Sequence, residues 1–140
     1  MKNIAGFILA AAFLLSTITG CANPNYNIAS LAGLNIRDLE KARSKGSSKT
    51  FDCSYDVAFD KVIEILKSNK LLVFRENKKQ KYIVAIGFYR QTNTTRVGIF
   101  FEPVSDNSTN VTLSSLSSTA LAKAEVIIFD ELQEEIIIID

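Results

Sequence analysis

Hydrophobic and polar positions change their spacing several times along the chain, and each change marks a predicted element. Residues 4–18 form an uncharged, largely apolar run, which a polar stretch follows. Between Tyr55 and Leu66, apolar residues recur every three or four positions, which is the spacing of a helix that buries one face. Ser54 precedes this stripe at the position of a helix N-cap.

Five strand-like segments accompany this helix, one before it and four after it. In the segment 94–102, apolar side chains occupy alternate positions, as in a strand with one buried face. Polar connections of hairpin length separate the last four segments, so we expect an antiparallel meander. The predicted strands are residues 50–53, 71–76, 82–89, 94–102 and 110–116.

A second amphipathic helix is predicted from Ser118 onward. The four isoleucines at positions 136–139 either complete this helix against the sheet or form a short extra strand. The element order β-α-β-β-β-β-α predicts an α+β fold, a two-layer sandwich in which two helices pack on one face of an antiparallel sheet of about five strands. The apolar stripe of the second helix consists of Leu121, Ala124, Ile128 and Leu132.

Residues 1–20 have the three parts of a secretory signal peptide. Lys2 makes the start of the chain basic, and small residues end the segment. The apolar run between them is shorter than the roughly 20 residues that a membrane-spanning helix needs.

The leader ends in Ile18, Thr19, Gly20 and Cys21, and this tetrapeptide resembles the lipobox of bacterial lipoproteins. The resemblance implies cleavage between Gly20 and Cys21 and attachment to the membrane through acyl chains on Cys21. In such lipoproteins of Gram-negative bacteria, aspartate after the cysteine favours the inner membrane. Ala22 stands there in this chain, so the resemblance implies the outer membrane, facing the periplasm. An ordinary secretory signal that happens to end beside a cysteine is the alternative.

Residues 21–48 are predicted to be the lipidated N-terminus and a flexible tether, because the sequences ANPNYN and SKGSSK are polar and turn-prone. Apolar residues between them stand loosely at helical spacing, so a short helix or a segment that folds on a partner is the alternative. A single α+β domain is predicted for residues 49–140.

The order of elements resembles the helix-grip or TATA-binding-protein-like arrangement. The stretches YDVAFDKVIEIL, RVGIFFEPV and NVTLSSLSSTA resemble small bacterial lipoproteins of an uncharacterised family. The lipoprotein C subunit of the outer-membrane β-barrel assembly machine is a more distant analogue. None of these stretches is catalytic, so the resemblance concerns fold and compartment rather than activity.

The composition argues against an enzyme. The chain has no histidine, the commonest general base and metal ligand, and its two cysteines cannot hold zinc alone. We therefore predict no catalytic residue, no metal site and no cofactor. Without the leader, 15 basic residues balance 15 acidic ones, which gives no case for nucleic acid as a partner. If Cys21 is lipidated, Cys53 has no partner within the chain, and alternation places it on the apolar face of a strand as a buried, inert thiol.

Charge is distributed unevenly along the chain. Residues 37–96 include fourteen basic and seven acidic side chains, whereas residues 101–140 include one basic and eight acidic. Either the acidic helix lies near the basic hairpins within one domain, or this polarity orients docking on an envelope protein or a second copy. Lys78, Lys79 and Lys81, at a predicted hairpin tip, are candidates to contact such a partner or anionic lipid headgroups, at about 1 kcal/mol per contact.

Two functions follow as expectations. The first is a membrane-anchored, non-catalytic interaction or scaffold module of the cell envelope. The alternative is a binding protein that holds a small apolar ligand in a cleft between the helices and the sheet. A domain of this length closes one core with little spare volume, which favours the first function. The side chains predicted to line the cleft are Phe59, Phe88, Phe100 and Phe101.

Overall fold

The computed structural model describes residues 36–88 and 95–137. These residues form a five-stranded antiparallel sheet, and the predicted α+β fold is confirmed. The strands are β1 (Ser47–Phe51), β2 (Leu72–Asn77), β3 (Tyr82–Ile86), β4 (Arg96–Ser105) and β5 (Ser108–Ser115). Their order across the sheet is β1-β5-β4-β3-β2, so the predicted meander runs from β2 to β5 and β1 pairs with β5.

The helices lie on both faces of this sheet. They are α1 (Arg37–Ala42), α2 (Tyr55–Ser68), α3 (Ser118–Ala124) and α4 (Glu131–Ile137). A 3₁₀ turn (Arg43–Lys45) extends α1, and a π-helical segment (Glu125–Asp130) joins α3 to α4 into one continuous helix. The last helix therefore includes Ile136 and Ile137, as one of the two alternatives for the isoleucine run predicted, while residues 138–140 lie outside the described ranges.

The main core lies between the sheet and the two long helical elements. Helix α2 begins at the predicted N-cap Ser54, although the Ser54 side chain makes no capping hydrogen bond. Its stripe of Phe59, Val62 and Leu66 is buried against the sheet. Full burial of such a side chain contributes about 1.5–3 kcal/mol to folding, so the amphipathic pattern accounts for the position of α2.

Five buried residues of the last helix recur at every fourth position, and Phe129 is buried beside this stripe. An α-helix completes a turn in 3.6 residues, so a strict four-residue repeat would rotate away from the sheet. The π-helical segment has wider turns with hydrogen bonds to the fifth residue, and it compensates for that rotation. The stripe thus stays on the sheet from the start of α3 to the end of α4. Its members are Ala120, Ala124, Ile128, Leu132 and Ile136.

A smaller apolar cluster lies on the other face of the sheet, which we call the far face. Leu39 of α1 packs there with Tyr82, Val84 and Phe100. The Ser114 hydroxyl is buried and donates a hydrogen bond to the Leu39 carbonyl at 2.7 Å, which fixes α1 to β5. Residues 37–48 therefore belong to the folded domain, and the prediction of a tether that extends to residue 48 is wrong for this part.

Gly46 connects the 3₁₀ turn to β1 at a point where two backbones lie very close together. A Cβ atom at this position would overlap the backbone carbonyl oxygen of Leu113 in β5. The next residue, Ser47, pairs with Leu113 in the sheet. Only glycine fits here without moving β1 away from β5.

Candidate interaction surfaces

The four phenylalanines of the predicted ligand cleft do not come together. Phe59, Phe88 and Phe101 are buried in the main core, whereas Phe100 is buried in the far-face cluster. The Phe59 and Phe101 rings pack against each other with their centroids 5.1 Å apart. The predicted four-residue cleft is therefore not formed, because Phe100 lies across the sheet from the others and ring contacts occupy the space next to Phe101.

A surface depression of about 520 Å³ lies beside α1, away from these phenylalanines. Its walls include the charged residues Asp38, Lys41 and Lys45 together with the apolar Leu116. It is open to solvent, and the sequence pattern gave no signal for it because its walls come from two segments about 70 residues apart.

The predicted lysine cluster at the β2–β3 turn is partly used within the domain. The Lys78 amine lies 3.1 Å from carboxylate oxygens of both Asp56 and Asp60 on α2. Hydrogen bonds to Asp56 and Asp60 raise the pKa of Lys78 above its usual value. The Tyr55 hydroxyl also donates to the Lys78 carbonyl at 2.6 Å. Lys78 therefore fastens the turn to α2 and does not offer an unpaired charge to a partner.

The other two lysines of the turn differ from Lys78. The Lys81 amine lies 5.7 Å from the centroid of the Tyr55 ring, in a cation–π contact. Lys79 is exposed. Of the three predicted contact residues, Lys79 is the one most available to an anionic group.

Cys53 is buried, as predicted, but it lies in the bend after β1 rather than on the strand. Its backbone carbonyl accepts a hydrogen bond from the buried Thr109 hydroxyl at 3.0 Å. Burial first, and then the charge of Asp52, raise the pKa of the Cys53 thiol above its usual value. The neutral thiol is therefore the stable form at neutral pH, and this group is not suited to nucleophilic chemistry.

We expect Cys53 to react with maleimide at pH 7.5 at least about tenfold more slowly in the folded protein than in denaturant, because reaction requires exposure and the thiolate. Mass spectrometry of the peptide that contains Cys53 measures the rate. The variant Phe74→Cys provides an exposed thiol that should react quickly in the folded state. Equal rates for Cys53 with and without denaturant would contradict its burial.

The basic and acidic parts of the sequence are joined inside the domain by the ion pair of Lys61 with Glu135 and by the hydrogen bonds of Asn69 to Glu131. The Lys61 amine of α2 lies 2.9 Å from Glu64 and 3.1 Å from Glu135 of α4. The Asn69 side chain donates to both carboxylate oxygens of Glu131 at 2.9 Å. The interpretation that the acidic helix lies near basic elements of its own domain thus accounts for part of the charge polarity.

An exposed surface that the periodicity of the sequence does not predict lies along β2. This strand is at the edge of the sheet, and its Leu72 and Phe74 side chains are 59% and 40% exposed. The register shifts between Val73 and Arg75, as at a β-bulge, so Phe74 has no paired residue on β3. We call this surface the basic edge, and it consists of Leu72, Phe74, Arg75 and Arg96.

A second exposed surface lies on the last helix. Val126 and Ile137 are 63% and 65% exposed, and the carboxylates Asp130 and Glu134 are exposed between them. These positions follow one another at intervals of four, four and three residues, so they share the side of the helix opposite the buried stripe. We call this surface the acidic helix face. The spacing of four residues is present in the sequence, but in a regular α-helix it would not keep these side chains on one side. The π-helical segment is what places them together.

Known protein families, curated proteins and solved structures provide no match to this chain. Within residues 36–88 and 95–137, no group of three or more acidic or cysteine side chains is arranged to hold a metal ion. Among the same residues, no helix has the length and hydrophobicity needed to cross a membrane. The leader, Gly20 and Cys21 lie outside the described ranges, so cleavage and lipidation remain predictions.

Proposed function

We propose that this protein is a lipid-anchored, non-catalytic interaction module of the bacterial cell envelope. Cys21 holds it in the outer membrane, and the α+β domain faces the periplasm and binds protein partners through its surface. The observation that carries this proposal is the exposure of apolar side chains next to charged ones on the basic edge and the acidic helix face.

Exposed aromatic and aliphatic side chains at a sheet edge cost solubility unless a partner covers them, and proteins usually protect such edges. The phenylalanines that would have served a ligand are packed against other side chains instead. An interaction module therefore agrees better with the described residues than a binding protein for a small apolar ligand.

Replacement of Cys21 by serine is expected to abolish lipid attachment. The chain should then lack the acyl chains and keep residues 1–20, because the peptidase of such lipoproteins cuts before an acylated cysteine, and it should no longer reach the outer membrane. Mass spectrometry of the purified protein and fractionation of cells measure these two changes.

The matched control is Ala22→Ser, a small change at the next residue that keeps the cysteine, and it should leave both properties unchanged. A third variant, Ala22→Asp, should remain lipidated and move toward the inner membrane. The anchor would be wrong if Cys21→Ser had the same mature mass and the same distribution as the unaltered protein.

A further inference from the structure

The basic edge and the acidic helix face are chemically complementary. Each combines two exposed apolar side chains with two charges of one sign, Arg75 and Arg96 on the first and Asp130 and Glu134 on the second. The Arg96 guanidinium lies 5.3 Å from the centroid of the Phe74 ring, which keeps the cation beside the apolar part of the basic edge. Charge complementarity of this kind fixes orientation and excludes unsuitable partners.

These charges are available to a partner. None of the four takes part in the ion pairs that Lys61 and Lys78 form with carboxylates on α2 and α4. The Arg75, Asp130 and Glu134 side chains are exposed, and Arg96 is half-buried. Glu76 is the one acidic residue of β2, and it pairs with Ile83 of the main core. Directly paired residues share a face of the sheet, so Glu76 is directed away from the far face, on which Arg75 lies opposite Val84.

The two surfaces cannot meet within one chain. The last helix packs over the β1 side of the sheet, where the rings of Phe129 and Phe51 are 5.8 Å apart. Three residues of the basic edge are on β2, at the opposite edge of the sheet, and Arg96 is at the start of β4; Arg75 is directed toward the far face. The surfaces therefore point away from each other, and only a second copy can bring them together.

We propose that copies of this protein associate head to tail, with the basic edge of one copy on the acidic helix face of the next. Leu72 and Phe74 contact Val126 of the next copy, and the two arginines pair with the two carboxylates that follow Val126 along the helix, Asp130 and Glu134. A pair of copies still has one surface of each kind free, the acidic helix face of the first copy and the basic edge of the second, so the contact is heterologous and propagates into a linear array rather than closing as a dimer.

The contact has few apolar side chains, so it belongs with the small, weak interfaces. Weak contacts become significant when the molecules are held at high effective concentration, as on a membrane. To that extent the inference rests on the proposed anchor at Cys21, which supplies that concentration. The protein partner of the proposed interaction module is therefore a second copy of this chain.

Site-specific crosslinking of the full-length chain in the envelope of intact cells tests this contact. We expect the double variant Phe74→Cys, Val126→Cys to give a ladder of dimers, trimers and larger species with a bifunctional maleimide. Each single variant should give no crosslinked species, and the two single variants expressed together should give dimers only. The unaltered protein is the control for crosslinking through the native cysteines, Cys21 and the buried Cys53.

The chain offers a control matched in exposure. Val57 and Val104 are 38% and 64% exposed, close to the values for Phe74 and Val126, but they lie outside the two surfaces. The double variant Val57→Cys, Val104→Cys should give no ladder. An equal ladder from this control would show random collision and overturn the proposal.

Charge reversal provides a second test, because crosslinking by random collision would not depend on the pairing of specific charges. Arg75→Glu in the chain that carries Phe74→Cys should lower the yield of crosslinked dimer with Val126→Cys about fivefold. Glu134→Arg in the chain that carries Val126→Cys should restore the yield. Failure of this restoration would contradict the proposed pairing of charges.

Two further outcomes would overturn the inference. Dimers from Phe74→Cys alone would indicate that two β2 edges pair with each other, and adducts to a different protein would indicate another partner. The anchor is tested separately, by Cys21→Ser. A ladder together with unchanged fractionation of Cys21→Ser would contradict the anchor alone, whereas changed fractionation without a ladder would contradict the head-to-tail contact alone.

Discussion

Replacement of Phe101 by alanine is expected to lower the free energy of unfolding by about 3–5 kcal/mol, the usual cost when a buried phenylalanine is truncated. The Phe101 ring packs against Phe59, with 5.1 Å between centroids, and against Tyr55 at 6.0 Å. Removal of the ring would leave a cavity that these neighbours cannot fill. Denaturation by urea, followed by circular dichroism, measures the change in stability.

The same substitution at an exposed position serves as the control. Phe74→Ala should change the free energy of unfolding by less than about 1 kcal/mol, because much of that ring is already in contact with water. If Phe101 lined an empty ligand cleft instead, its truncation would enlarge the cleft at little cost. If Phe101→Ala and the unaltered protein were equally stable, the result would contradict the packed core and support a ligand cleft at this position.

Replacement of Gly46 by alanine is the second change with a large expected effect. The new methyl group would overlap the Leu113 carbonyl oxygen, and β1 would have to move away from β5. Forcing extra atoms into a tight contact typically costs about 1–3 kcal/mol, and a rigid backbone oxygen leaves little room for adjustment. Thermal or urea denaturation measures the loss of stability.

Ser47→Ala, at the next residue, is the matched control and should have little effect, because Ser47 is only partly buried and the change removes a hydroxyl group without adding any atom to the contact. This pair of variants also distinguishes the two interpretations of residues 37–48. A flexible tether would tolerate Gly46→Ala as easily as Ser47→Ala, so equal stability of the two variants would contradict the observed packing of this segment.

The main elements of the fold could be predicted from the sequence because each carries its own periodicity. Helix α2 and strand β4 bury one face against the main core, and that face is visible in the spacing of their apolar residues. Short polar connections then require antiparallel neighbours. These local signals were sufficient for the α+β fold and for the meander.

Helix α1 lies in the segment for which the sequence left a short helix as the alternative to a tether, but its place on the far face could not be predicted. It has six residues, of which only Leu39 is buried, and polar residues typical of a linker follow it. Its position depends on Ser114, which is 75 residues further along the chain and donates a hydrogen bond to the Leu39 carbonyl. A contact of such long range leaves no periodic pattern in the sequence.

The error about the phenylalanine cleft has a simpler cause. Phe100 and Phe101 are adjacent on β4, and adjacent residues of a strand point to opposite faces. The two rings therefore could not share one cleft, and the alternation already noted in that strand was enough to separate them. The exposed face of the last helix, in contrast, could not be identified from the four-residue spacing alone. That spacing keeps one face on the sheet only because the helix includes a π-helical segment.

The attachment of α1 to the far face has a mechanical consequence. Tension on the chain N-terminal to Ile36 acts first on the few contacts of Leu39 and Ile36, before it reaches the hydrogen bonds between β1 and β5. Helix α1 would detach while the main core stays intact, and residues 36–46 could then span at most about 35 Å when extended. The domain can thus absorb a pull from its N-terminal side without unfolding its sheet.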